Sequence, residues 1–294
     1  MKPASFRYLA PASLDEALVL LAEHGDAAKI LAGGQSLVPM MNFRLVSPSI
    51  IIDLNRVTEL GYLREQDGGL AIGAMTRQSQ VEHDHLTASH APLITETMPF
   101  IAHPQIRNRG TFGGCIAHAD PAAELPAVAV ALDASFKLKS QKGSRSVRAA
   151  DFFLGLFSTI LEPTELLTEI VVPPMPAHSG YAFQEMSRRH GDYALAGVAC
   201  MLALDDANVC TDARIVLLGL GLQPMDARNA AKQLVGATLT ADAILAAAQA
   251  VNAEIDPSSD IHASADYRRQ LASVLTRRAL GLATERALNA TPSN

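Results

Sequence analysis

The chain is poor in the features that assign a protein to a class at sight. It has three cysteines, Cys115, Cys200 and Cys210, and no C-x-x-C pair, so neither a disulfide framework nor a locally encoded iron–sulfur site is indicated. Redox work in such a chain needs another cofactor. Positive charge is also scarce: 24 Lys and Arg stand against 30 Asp and Glu, for a net charge of −6. Arg107 and Arg109 are separated by polar residues, so nucleic acid is not an expected partner. The opening MKPASFRYLAPAS has no signal-peptide core, and the longest apolar runs, such as 125–132, are too short to cross a bilayer. No membrane span and a cytoplasmic location are expected. Internal repeats are absent, and the Ala-rich stretch 241–250 is the one biased segment. No nucleophile with an oriented base is legible, nor any molybdenum-binding set.

What the chain does have is apolar material, 49% of its residues, enough for two or three packed domains. The stretch SLDEALVLLAEH predicts a helix over 14–24, with Ser13 as N-cap, Glu16 completing a capping box and Gly25 as the stop. A strand at 28–32, a glycine turn, a helix at 37–45 and a strand at 50–54 follow. Beyond residue 59 come short strands, a helix over 93–101, a second glycine turn and an Ala- and Leu-rich helix over 122–131 started by Asp120-Pro121. Strands are expected at 135–138 and 166–172, and the proline-rich 172–180 reads as a linker. The remainder predicts strands at 181–187, 196–204 and 213–220, then helices at 227–235, 241–253 and 264–286. The expected domains are 1–57, 58–177 and 178–294.

Two double-glycine segments recur in matched settings: LAGGQS at 31–36 and TFGGC at 111–115. Bare backbone lets a ligand approach without meeting a Cβ, and a run of free N–H groups makes an anion site. Neither segment fits G-x-x-x-x-G-K-[ST] or G-x-G-x-x-G. A lone Gly-Gly is more often purely structural; two facing turns could grip the two phosphates of a dinucleotide.

The stretches AGGQSLVPMMNFRLVSPSIIIDLNRVTEL, IAHPQIRNRGTFGGCIAHADPAAELPAVAVALDA and RRHGDYALA resemble, in matching order, the FAD-binding medium subunit of the molybdenum hydroxylases. The resemblance implies an α+β chain: a two-subdomain FAD-binding fold of the vanillyl-alcohol-oxidase/PCMH type, plus a C-terminal domain of a small antiparallel sheet with helices. It implies non-covalent FAD, with the diphosphate held by Leu31, Ala32, Gly33, Gly34, Gln35, Ser36 and Leu37 on one side and Thr111, Gly113, Gly114 and Cys115 on the other. The hydroxyls of Ser36 and Thr111 are then phosphate donors. Cys115 stands where the family often has asparagine and contributes its backbone N–H; Glu124 stands where the family usually has aspartate, either accepting a ribose hydroxyl or remaining a solvated helix-start charge. Tyr193 is either a plate beside the isoalloxazine or a packed strand-end tyrosine, and Asp192 either joins it or is a turn residue. Ile101, Leu167 and Gln184 fall at positions that approach the cofactor in relatives. His118, like His103, either donates to the cofactor or satisfies loop carbonyls.

Function follows the same resemblance. Substrate oxidation is expected on a large molybdopterin-binding subunit, and a small subunit is expected to carry two [2Fe–2S] clusters. The three chains form a dimer of heterotrimers in which this one carries electrons from FAD to an external acceptor. A self-sufficient flavin oxidoreductase of the vanillyl-alcohol-oxidase type and a flavin-free scaffold are the alternatives. His83 and His85 lack a third convergent ligand and are read as exposed rather than metal-binding.

Overall fold

The structure, a computed structural model, describes residues 1–290. Strand β1 (Arg7–Leu9) precedes helix α1 (Leu14–His24), which buries Ala17, Leu18 and Leu21. The Ser13 hydroxyl accepts from the Glu16 N–H at 3.2 Å, but the reciprocal bond is displaced: Glu16 accepts from the Ala12 N–H, one residue upstream of the predicted partner. Strand β2 (Ala28–Leu31), helix α2 (Leu37–Asn42) and strand β3 (Ile50–Asp53) complete the first lobe. The order β1-β3-β2 is parallel throughout, as strands joined by helical crossovers require. Helix α2 ends before the predicted residue 45 because Arg44 takes a left-handed conformation, φ 58°.

The second lobe begins with β4 (Leu63–Gln66) and β5 (Gly69–Gly73). Six short helices follow: α3 (Gln78–His83), α4 (His85–His90), α5 (Pro92–Thr97), α6 (Pro104–Arg107), α7 (Phe112–His118) and α8 (Glu124–Ala131). The helix expected over 93–101 is split, with a 3-10 turn at Met98–Phe100, where Pro99 removes an N–H. Helix α8 starts later than predicted, because Asp120 accepts from the Ala122 N–H at 2.9 Å and closes a turn instead of capping the helix. All eight residues of α8 are buried, so it carries no amphipathic stripe. Strands β6 (Ser135–Ser140), β7 (Gly143–Arg148), β8 (Phe153–Gly155), β9 (Ser158–Thr159) and β10 (Leu166–Val172) follow. The main sheet is antiparallel, in the order β4-β5-β10-β6-β7.

In the third lobe β11 (Ser179–Met186), β12 (Ala196–Leu204), β13 (Cys210–Leu218) and β14 (Met225–Asp226) pair antiparallel in sequence order. Helices α9 (Arg228–Lys232), α10 (Ala241–Ala250) and α11 (Ala265–Asn289) follow. Every residue of β12 is buried, and alternation along the strand explains it. Val198, Cys200 and Leu202 enter a core with α10 and α11, whereas Ala199 and Met201 enter the core of the second lobe. Helix α11 approaches closely enough that a Cβ on Gly180 would meet the Ala283 backbone. Arg286 of α11 donates to Glu96 of α5 at 2.5 Å and to the Tyr181 carbonyl at 2.6 Å, tying the third lobe to the second.

Candidate site at the junction of the glycine segments

The first segment leaves β2 at Leu31 and enters α2 at Leu37. Gly34 takes φ 75°, a conformation that disfavours any Cβ. Gln35 donates its side-chain amide to the Gly33 carbonyl at 2.9 Å, closing the turn. Among the described residues, no hydrogen bond engages the backbone N–H of Gly33, Gly34, Gln35, Ser36 or Leu37, nor the Ser36 hydroxyl. Five adjacent donors with no acceptor among the described residues suit an external anion.

The second segment is organised differently. The predicted turn before a helix is itself the first turn of α7, capped by Thr111, whose hydroxyl accepts from the Gly114 N–H at 3.1 Å. Phe112 donates to the Thr76 carbonyl, Gly113 to the Ala74 carbonyl and Cys115 to the Thr111 carbonyl. The Cys115 N–H, expected to serve a phosphate, is therefore already taken. Burial pushes its thiol well above the ordinary cysteine range, and nearby Glu124 adds to the shift. The glycines here serve close packing. A Cβ on Gly113 would lie 2.5 Å from Ala74 Cβ and 2.6 Å from its Cα, while one on Gly114 would lie 3.1 Å from Ala32 Cβ.

The segments abut. A Cβ on Gly33 would fall on the Arg109 carbonyl oxygen and 2.7 Å from Gly110 Cα, so the first turn rests against the backbone entering the second. Arg109 is exposed and Arg77 half-buried beside it, and neither forms an ion pair with a carboxylate among the described residues. The exposed Arg109 charge beside free N–H donors fits a diphosphate. Arg107 does not contribute: it is buried and gives Glu82 a bidentate pair at 2.7 and 2.9 Å.

Carboxylates gather beside Cys115 of α7. Glu124, at the start of α8, is 7% exposed, which overturns its reading as a solvated charge. Burial pushes its carboxyl up to about 7. Glu185 lies on the β11 face shared with Phe183, turned toward the second lobe. One of its oxygens is buried without a partner among the described residues, and burial together with Glu124 pushes its carboxyl up to about 8. Glu185 was not singled out from the sequence, although an acid in register with Tyr181 and Phe183 was the signal available. The Asp120 and Glu124 carboxylates lie within electrostatic reach of Tyr193, which is 65% exposed and so not a packed strand-end residue.

The remaining predicted residues divide. His118 stacks on Phe157, ring centroids 4.9 Å apart, and burial lowers its pKa. Gln184 donates to the Phe183 carbonyl at 3.0 Å, and Asp192 pairs with Arg188 at 3.3 Å. Ile101 and Leu167 are core residues of the second lobe. His83 and His85 are exposed, at the end of α3 and the start of α4. No group of three or more His, Cys, Asp or Glu among the described residues could hold a metal ion, and none of their helices is long and apolar enough to cross a membrane.

Comparison with known proteins accounts for this arrangement. Residues 4–175 match the family described as "FAD binding domain in molybdopterin dehydrogenase", and residues 181–283 match "CO dehydrogenase flavoprotein C-terminal domain". The chain is 45% identical, over 98% of its length and 97% of the relative's, to subunit alpha of the 6-hydroxypseudooxynicotine dehydrogenase complex of Paenarthrobacter nicotinovorans. Carbon monoxide dehydrogenase from Hydrogenophaga pseudoflava, solved lacking the Mo-pyranopterin moiety of its molybdenum cofactor, superposes with a TM-score of 0.95 at 40% identity, covering 97% of this chain and 99% of that one. Quinoline 2-oxidoreductase from Pseudomonas putida 86 superposes with a TM-score of 0.92 at 39% identity, covering 98% and 100%. With both domains matched in order, this chain belongs to the family of FAD-binding medium subunits of the molybdenum hydroxylases.

Proposed function

We propose that this chain is the FAD-carrying, electron-transferring subunit of a heteromeric molybdenum hydroxylase. It takes electrons from [2Fe–2S] clusters of a small partner and delivers them to an external acceptor, while a large molybdopterin-bearing partner oxidises the substrate. The assembly is a cytoplasmic dimer of heterotrimers. One observation carries the reading: two glycine segments from separate lobes abut, with five uncommitted N–H donors and the exposed Arg109 guanidinium at their seam. Bound FAD supplies the capacity to hold one or two electrons.

The residues divide the work of binding. The N–H groups of Gly33, Gly34, Gln35, Ser36 and Leu37, with Leu31 and Ala32 leading into them, take the diphosphate, and the hydroxyls of Ser36 and Thr111 add donors. Gly113, Gly114 and Cys115 bring α7 into place. Glu124 and Glu185 accept ligand hydroxyl or ring N–H groups, or donate while protonated, and Tyr193 with Asp192 screens the flavin end from water. His118, Gln184, Ile101 and Leu167 line the approach. The lobes 1–57, 58–177 and 178–294 supply the two walls and the cover.

The test is the visible spectrum of the chain purified with whatever co-elutes. Flavin absorbance together with iron- and molybdenum-bearing companions is expected. A colourless chain that takes up no added FAD would sink the reading, and flavin without companions would turn it toward a self-sufficient oxidoreductase.

A further inference from the structure

We infer that Asn55 and Arg77 are positioning residues, a hydrogen-bonded strut that sets how the two glycine segments meet and thereby the affinity for the cofactor. The inference rests on the reading that this seam holds a dinucleotide diphosphate. Asn55, just beyond β3, donates its amide to the Ala32 carbonyl at 3.0 Å, in the first segment. Its amide oxygen accepts from Arg77 Nη2 at 2.6 Å. Arg77, just before α3, donates through Nη1 to the Arg109 carbonyl, in the strand of backbone entering the second segment. That same carbonyl is the atom on which a Cβ at Gly33 would fall. The path from Ala32 through Asn55 and Arg77 to Arg109 therefore closes a ring around the contact between the segments.

The strut is anchored behind. Asp53 accepts from the Asn55 backbone N–H at 2.9 Å and from its side-chain amide at 2.5 Å, and Tyr8 donates its hydroxyl to the other Asp53 oxygen at 2.5 Å. With Asp53 fixing the amide, the Asn55 oxygen is aimed at the guanidinium, and a flipped amide would set its NH2 group against a cation. Arg77 is half-buried, and both terminal nitrogens are engaged by protein acceptors. Its planar fork reaches both acceptors at fixed spacing, which a lysine ammonium cannot do. Arg109, beside it, keeps an exposed head. The two arginines therefore play different parts, since Arg109 presents charge to the seam and Arg77 holds the seam's shape.

The experiment measures FAD affinity by flavin fluorescence on the FAD-stripped protein, and in parallel the melting temperature without FAD. Each of Arg77→Met and Asn55→Ala is expected to weaken FAD binding on the order of tenfold, with the FAD-free melting temperature moving little. The double variant should be no weaker than the poorer single variant, because each removes the same strut. Arg77→Lys, which keeps one donor, should recover part of the affinity. Should Arg77→Met fail to fold, Asn55→Ala and Arg77→Lys carry the same comparison. Wild-type affinity in the variants overturns the inference, as do losses that simply add in the double variant or that track the fall in melting temperature. A wild-type chain that takes up no FAD instead overturns the reading of the seam itself, and the inference with it.

Discussion

In the first glycine segment the N–H groups of residues 33–37 have no acceptor among the described residues, whereas in the second those of Phe112, Gly113, Gly114 and Cys115 are all engaged by the protein. The dipeptide is the same and the physical reason for it is not. Gly34 is required by a left-handed φ and frees donors; Gly113 is required because its α-hydrogen faces the Ala74 backbone. One segment presents polar groups, and the other lets a helix dock closely enough to support them. Charge is divided too, with Arg109 exposed at the seam and Glu124, near Glu185, buried beside Cys115 of the second segment.

The largest expected effect tests that division directly. In Gly113→Val the new Cβ meets backbone that has no room to yield, so beyond the usual overpacking cost of about 1–3 kcal/mol the FAD-free melting temperature should fall steeply. In Gly34→Val the nearest atoms are the Leu31 and Val38 side-chain ends, at 3.1 and 3.2 Å. The fold should persist at a backbone cost of about 1–2 kcal/mol while FAD occupancy collapses. Equal melting temperatures for the two variants would erase the distinction.

A smaller effect sharpens it at the hydroxyls. Thr111→Ala removes the cap on the Gly114 N–H and should cost about 1 kcal/mol of stability in the FAD-free chain. Ser36→Ala removes a hydroxyl with no partner among the described residues, so stability should hold while FAD binds about fivefold more weakly, the worth of one hydrogen bond of about 1 kcal/mol. Denaturant melts and FAD titrations of both variants decide it, and an unchanged FAD affinity in Ser36→Ala would remove Ser36 from the site.

The smallest effect concerns the acids. Glu124 and Glu185 have folded pKa values raised from 4.5 to about 7 and about 8. The folded state therefore binds protons that the unfolded chain has released, and stability should decline as pH rises between about 4.5 and 8. Glu185→Gln should flatten that decline, raising the melting temperature at about pH 8 more than at about pH 5. Thermal melts of the FAD-free chain across pH measure it; parallel curves for variant and wild type would show that the carboxyl is not held protonated.

Much of this was legible in the chain. The Ser13 cap, the strand–turn–helix–strand of the first lobe and the strand runs of the third follow from local spacing. The resemblance carried by the two glycine stretches implied the fold and the cofactor. Short elements escaped: β1 is three residues long, and β7 is the polar edge strand GSRSVR, with too few apolar positions to show a period. The second glycine pair reads as a turn because glycine disfavours helix interiors, and only the close packing against Ala74 explains why α7 begins there. Asn55 and Arg77 carry no motif, since their bonds run to backbone carbonyls more than twenty residues away.

Phe183, Ala199, Met201, Val216 and Leu218 of the third lobe share one hydrophobic core with the second. Swinging that lobe aside as a rigid body would expose their apolar surface to water, at roughly 25 cal/mol per Å². The third lobe is thus welded to the second through a common interior, not hung on it as a hinged lid.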